Sequence, residues 1–171
     1  MAAFRSDHSL VPLLWQGTKT AGDRKPLDEK AFQTAVYGKL IPMLAKQPIV
    51  GAREPEVFDA KKPDMRISYL LDSGVKIDIP IEIKWAGHAE VWDATDSQIL
   101  TKYMQDPHVR PAIYIVGWAR LGIQNIKIGP NGEKPLSAIE FERQLQDVTD
   151  ARLRGTGKSI VVHVIDTSIL D

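Results

Sequence analysis

Residues 63–71 read PDMRISYLL and residues 76–85 read KIDIPIEIKW. Both segments alternate apolar and polar side chains and are rich in β-formers, so each reads as a strand. Asp72-Ser73-Gly74 joins them. A three-residue loop with glycine last fits a type I turn closed by a left-handed glycine bulge. That loop sets the register: Leu71 faces Val75, Met65 faces Ile81, and Asp64 lies directly opposite Glu82. Met65, Ile67, Tyr69 and Leu71, with Ile77, Ile79, Ile81, Ile83 and Trp85, then make one continuous apolar face. The other face carries Asp64 and Glu82 side by side, with Lys84 further along the same strand.

Like charges directly opposite on a sheet destabilise it. A cation between them removes that cost, and two carboxylates with water suit a hard divalent ion such as magnesium. Without Asp64, the run Glu82-Ile83-Lys84 would be a short pattern of the kind that arises by chance. The plain alternative is a hairpin whose outer face is simply polar. Pro80 bears on the choice, because proline in a strand marks an edge or a bulge. A bulge there would shift the pairing by one residue and part the two carboxylates.

At 171 residues the chain is long enough for one domain with a sizeable core. It has no cysteine. That excludes disulfides, thiol nucleophiles and cysteine-ligated metal, and it fits a reducing, cytoplasmic location. No apolar run approaches the length of a bilayer span. The apolar patch Leu10–Trp15 contains Pro12 and is too short for a signal-peptide core. The formal net charge is zero. Proteins that bind nucleic acid tightly and unaided are usually basic, so neutrality argues against a strong solitary DNA binder. It leaves room for a locally positive cleft.

Residues 1–26 are polar, with Gly17, Gly22 and Pro26, and read as an arm or loop; the domain proper then spans 27–171. Asp28 or a neighbour can start a helix running to about Lys46. Phe32, Val36, Leu40 and Leu44 give it one buried stripe, and Pro42 is expected to kink it or end it early. Ile49–Val57 reads as a strand interrupted by Pro55. After the hairpin, residues 86–93 form a connection. Asp93 or Thr95 can cap a second helix to about Gln105, with Ile99, Leu100, Tyr103 and Met104 apolar. Pro111–Ala119 is nearly all apolar, as in a strand buried on both faces. Strand, helix, strand implies a right-handed parallel crossover. Ile128–Pro135 is a Gly/Pro loop. Ser137 and Glu140 make a capping box for a third helix to about Arg154, and Ser159–Asp166 is a last buried strand. The fold class is α/β, with a central mixed sheet flanked by helices.

Helix, strand, hairpin, helix and buried strand, with Pro63-Asp64 and Glu82-Ile83-Lys84 on the hairpin, resemble the PD-(D/E)XK nucleases and their restriction-endonuclease-like core. The likeness covers roughly residues 27–120. Gln98 on the following helix and the hydrophobic strand IYIVGW fit it too. The resemblance implies that Asp64 and Glu82 ligate magnesium, helped by the carbonyl of Ile83, with manganese able to substitute. Glu29 would bind a second ion or a metal water. Lys84 would hold the attacking water or the scissile phosphate. The implied activity is phosphodiester hydrolysis, on DNA, by the cutting part of a bacterial restriction or phage-defence system. It also implies a homodimer, or attachment to a larger protein that supplies recognition or activation. A subgroup resembling the RecB nucleases places tyrosine four residues after the glutamine; here Lys102 stands there and Tyr103 follows. On an α-helix Gln98 and Lys102 share a face, with Tyr103 roughly 140° away from Gln98. Gln98 and Lys102 are therefore expected near the site and Tyr103 in the core, the plain alternative for Lys102 being a solvated surface lysine.

Lys61 and Lys62, just before Asp64, are placed to touch a phosphate, though a solvated turn accounts for them better. Arg154–Ser159 (RGTGKS) resembles the end of a phosphate-binding loop, but Arg152 stands where glycine is needed and the helix precedes it. The GxG reads better as a left-handed helix end. His8, His88, His108 and His163 show no zinc-ligand spacing; His88 and His108 flank the second helix. A non-catalytic nucleic-acid- or protein-binding module with this fold is the alternative from another class, and magnesium binding separates the two. RNA as the substrate is not separable from DNA by sequence.

Overall fold

The computed structural model describes residues 14–16, 25–45, 49–53, 62–106, 109–119 and 126–168. In chain order the elements are β1 (Trp15–Gln16), β2 (Lys25–Pro26), α1 (Glu29–Leu44), β3 (Ile49–Arg53), β4 (Met65–Leu70), β5 (Lys76–Trp85), the helix α2 (Thr95–Tyr103), β6 (Pro111–Trp118), α3 (Ala138–Leu153) and β7 (Ser159–Asp166). Five strands form one sheet in the order β3-β4-β5-β6-β7. β3, β4 and β5 run antiparallel to one another, whereas β5, β6 and β7 are parallel. The chain is therefore α/β, with a mixed sheet and, among the described residues, these three helices. Among the described residues no helix is long and apolar enough to cross a membrane.

The hairpin takes the register its loop dictates. Met65 pairs with Ile81 and Leu70 with Lys76. The Leu71 N–H donates to the Val75 carbonyl at 2.8 Å, and Gly74 closes the turn with φ 79°. Pairing runs through Arg66–Pro80 without a bulge. Pro80 falls one residue before β6 pairing begins at Ile81, where a missing N–H costs no ladder bond.

Each face of the sheet has its own core. Phe32 and Val36 of α1 bury Met65, Ile67, Ile81, Ile83, Ile115 and Ile165 on one side. On the other, Ile99 and Tyr103 of α2 with Phe141, Leu145 and Leu153 of α3 cover Tyr114, Val116, Ile160, Val162 and Val164. Asp28 caps α1 by accepting the Ala31 N–H at 2.8 Å. α1 continues through Pro42 to Leu44 rather than stopping. The proline lies in the last turn, where it removes a single bond, to the Gly38 carbonyl. α3 starts at the expected box: Ser137 accepts the Glu140 N–H at 3.1 Å, and the Glu140 carboxylate reaches back to the Leu136 N–H at 2.8 Å. Gly155, with φ 76°, follows its last turn.

Two features differ from the sequence expectation, and a third had no counterpart in it. Residues 14–16 belong to the domain rather than to a free arm: Leu14 is fully buried, and the Trp15 indole donates to the Thr167 carbonyl at 2.9 Å. α2 is a π-helix with no side-chain N-cap. Asp93 and Asp96 instead bind Arg152 of α3, at 3.2 and 2.8 Å. The edge of β7 is also closed by side chains. Gln146 accepts the Val162 N–H at 2.8 Å and donates to the Ile160 carbonyl at 3.1 Å, as a neighbouring strand would. Glu142 takes the Val164 N–H at 2.7 Å. Pro55 and the end of the expected strand Ile49–Val57 lie outside the described residues.

Trp85, at the end of β5, stacks on Phe32 of α1 with ring centroids 4.5 Å apart. Gly117 of β6 makes this possible. A methyl group there would lie 2.6 Å from Trp85 ring carbons and 2.9 Å from Phe32. Gly117→Ala is expected to cost about 1–3 kcal/mol by overpacking, read as a lower urea midpoint. An unchanged midpoint would mean that the two rings are free to shift.

Candidate active site

β4 starts at Met65, opposite Ile81, while β5 runs on to Trp85. The Ile83 N–H therefore faces a side with no strand to receive it. Asp64, one residue outside β4, fills that role: its Oδ2 accepts the Ile83 N–H at 2.7 Å. Its Oδ1 accepts from Nε2 of Gln33 on α1 at 2.8 Å. Glu82 and Lys84 are both buried. The Lys84 Nζ lies 2.7 Å from Glu82 Oε1 and 3.2 Å from Glu29 Oε1. Glu29 and Gln33 sit four residues apart on α1 and so share a face. That face meets Lys84 with one side chain and Asp64 with the other.

Two carboxylates thus contact one ammonium, and the Asp64 carboxylate lies near enough for its charge to act on it. Burial, then the Glu82 charge, pushes Asp64 from 3.8 up to about 7, against the Ile83 N–H and Lys84, which favour the anion. Burial also raises Glu82, although Lys84 and the Tyr103 hydroxyl pull it down. For Lys84 burial acts downward, but Glu82, Glu29 and Asp64 outweigh it and hold the ammonium above its usual range. The Glu82–Lys84 contact is close but poorly aligned, and neither Glu82 oxygen, nor Glu29 Oε2, receives a well-directed hydrogen bond.

These oxygens fit a hard divalent cation: they are anionic, buried and short of donors. In an antiparallel pairing a residue's N–H and C=O point to the same neighbour, so the Ile83 carbonyl shares the side of Asp64. Asp64, Glu82 and this carbonyl are the oxygens that could hold such an ion. Among the described residues no three His, Cys, Asp or Glu side chains form a ready cage.

Gln98 and Lys102 were expected on one face, with Tyr103 turned away. The π-helix changes that geometry. Its bonds run from residue i to i+5, as in Met104 N–H to the Ile99 carbonyl at 2.9 Å. Residues five apart are thereby stacked. The Tyr103 hydroxyl donates to Gln98 Oε1 at 3.5 Å, and burial together with the nearby Glu82 charge raises the phenol's pKa. Tyr103 is buried, as expected of a core residue, but its hydroxyl belongs to the site. Lys102 is exposed. Gln98 reaches the site through Tyr103, and its amide also donates to Glu90 at 3.0 Å.

Gln33 and the Tyr103 hydroxyl are the site residues that sequence reading missed. A signal for the first was its spacing of four from Glu29. Lys62 is exposed beside Pro63; Lys61, His8 and His108 lie outside the described residues. His88 Nδ1 accepts the Glu90 N–H at 3.1 Å, and His163 is buried on β7, 3.6 Å from Glu142. Lys158 of the RGTGKS run donates to the Met104 carbonyl, past the end of α2. Compared with protein-family models, with curated proteins and with solved structures, the chain matches none.

The raised Asp64 has a consequence for stability. A carboxyl with a raised folded pKa contributes stability that is complete below its unfolded value, 3.8, and is lost as pH rises through about 7. In chelator, wild type should therefore lose melting temperature relative to Asp64→Asn between about pH 4 and pH 7. Parallel curves would show that Asp64 is ionised throughout.

Proposed function

We propose that the chain is a magnesium-dependent nuclease of the PD-(D/E)XK type, with a restriction-endonuclease-like core, that hydrolyses phosphodiester bonds in DNA. One observation supports the reading: where β4 has ended and β5 continues, Asp64 is held on the Ile83 N–H beside Glu82, and the Lys84 ammonium lies between Glu82 and Glu29. Asp64, Glu82 and the Ile83 carbonyl would hold the ion, with Glu29 toward a second ion or a water. When bound, the ion supplies Lewis acidity and a more acidic water.

The chain's own groups do the rest. Lys84, charged throughout the neutral range, exchanges a carboxylate for the scissile phosphate or the attacking water and offsets the charge that develops there. Tyr103, its hydroxyl donating to Gln98, lies beside Glu82 and closes that side of the site. The water oxygen bonds to phosphorus, the bond to the leaving sugar oxygen breaks, and a water proton ends on that oxygen. Neutral net charge and the lack of a helix-turn-helix or zinc finger among the described elements support recognition supplied from elsewhere. We therefore take the chain as the cutting part of a restriction or phage-defence system, as a homodimer or joined to a larger protein.

Asp64→Ala, Glu82→Ala and Lys84→Ala should each lower cleavage of plasmid and linear DNA at least about a hundredfold with the circular-dichroism spectrum unchanged, and EDTA should stop it. Cleavage that survives all three, or survives EDTA, defeats the reading. Calorimetric titration with magnesium and manganese separates it from a non-catalytic module, which would bind neither; matched RNA substrates test the polymer, and light scattering the dimer. Tyr103→Phe should lower kcat. Lys102→Ala should leave kcat near wild type and reduce the salt slope of DNA binding by about one.

A further inference from the structure

Asp64 carries no strand hydrogen bonds of its own and sits at a bend, so something must fix its carboxylate plane. Two donors do so from two directions: the Ile83 N–H at Oδ2 and the Gln33 amide at Oδ1. The first belongs to the same hairpin. The second comes from α1, across the core. We infer that Gln33 is a positioning residue for Asp64, holding the carboxylate in the plane in which it receives a divalent cation; this rests on the metal-dependent reading above.

The chemistry of the side chain suits that task. Oδ1 is an acceptor, so the amide nitrogen must face it. A lysine or arginine at this position would neutralise Asp64 and compete with a cation. A glutamate would repel it. A neutral amide fixes the acid and leaves its charge available. Gln33 is itself buried, and its neighbour Phe32 is fully buried and stacked on Trp85. The donor is therefore delivered from a fixed backbone. Glu29, one turn earlier, does the same for Lys84. One helical face thus sets two of the reacting groups, and groups that orient metal ligands are typically worth ten- to a hundredfold in metal affinity or activity.

Gln33→Met keeps the volume and removes the donor; Gln33→Glu keeps the shape and reverses the polarity. Three readouts apply. In metal-free protein, the Ile83 amide resonance should shift and its hydrogen exchange should quicken in both variants. Calorimetry with manganese alone should show affinity about ten- to a hundredfold weaker. Cleavage should lose kcat while KM for DNA stays at the wild-type value. Gln33→Met should melt within a few degrees of wild type, which separates positioning from loss of fold. An unmoved Ile83 amide, or wild-type manganese affinity in Gln33→Met, overturns the inference. A wild-type protein that binds manganese but cuts no DNA sinks the nuclease reading alone, and the Gln33 comparison still decides its own question.

Discussion

The interior of this protein is organised around one buried ammonium. Glu82 lies almost wholly out of water on a strand whose neighbours are isoleucines. An unpaired charge there would be untenable. Lys84, on the same face, pairs with it, and Glu29 completes the coordination of the ammonium from α1. Removing one partner of such a pair typically costs about 3–5 kcal/mol, because the other is left buried and uncompensated. The pair therefore constrains where α1 can dock. It does not balance the charge, since Asp64 adds a third carboxylate to the same cluster. In a dry site that residual charge must be met by a proton or by a cation. The raised Asp64 is the proton answer. On the metal-dependent reading proposed above, a divalent ion would be the other, and it would compete with that proton.

Placing those groups demands more precision than charge alone gives. Polar contacts fail over a displacement of an ångström, and rigid supporting elements supply the accuracy. The support here is apolar. Trp85 follows Lys84 directly, and its ring lies against Phe32, the residue just before Gln33. Gly117 yields the space that the indole needs. Sequence neighbours of two site residues are thus stacked on each other, so α1 and β5 cannot slide without breaking that contact. The core and the site are set by the same pair of elements.

What could be read from the sequence follows from which interactions are local. The hairpin register was legible because Gly74 fixes a turn and the alternation of isoleucines fixes a face, and together they placed Asp64 beside Glu82. The capping box at Ser137 and Glu140 is equally local. Gln33 was hidden because its partner lies 31 positions away and a polar residue next to a helix stripe looks solvated. The face of α2 was misread because α-helical spacing was assumed. The i to i+5 bonds that bring Tyr103 level with Gln98 have no sequence signature of their own. The surrogate strand made by Gln146 and Glu142 was invisible for the same reason as Gln33: it is a tertiary contact made by ordinary surface residue types.

The location of the site follows from how β5 changes partners. Residues 76–81 pair with β4, and residues 81–85 pair with β6. Near Ile81 the strand has a neighbour on both sides; beyond it, one side is open. In the interior of a sheet, backbone donors and acceptors lack a ladder partner only where a neighbouring strand ends; the other unpaired groups lie along the outer edges. Ile83 is the residue so exposed, and Asp64 satisfies its N–H. The carbonyl on the same side is an acceptor adjoining two carboxylates. A cluster of oxygens with that geometry could not be built inside a continuous ladder, which would consume it, nor on the outer edge of β7, where α3 side chains already bind the backbone. The step in the sheet at the end of β4 is thus what lets a buried strand present a cluster of oxygens at all.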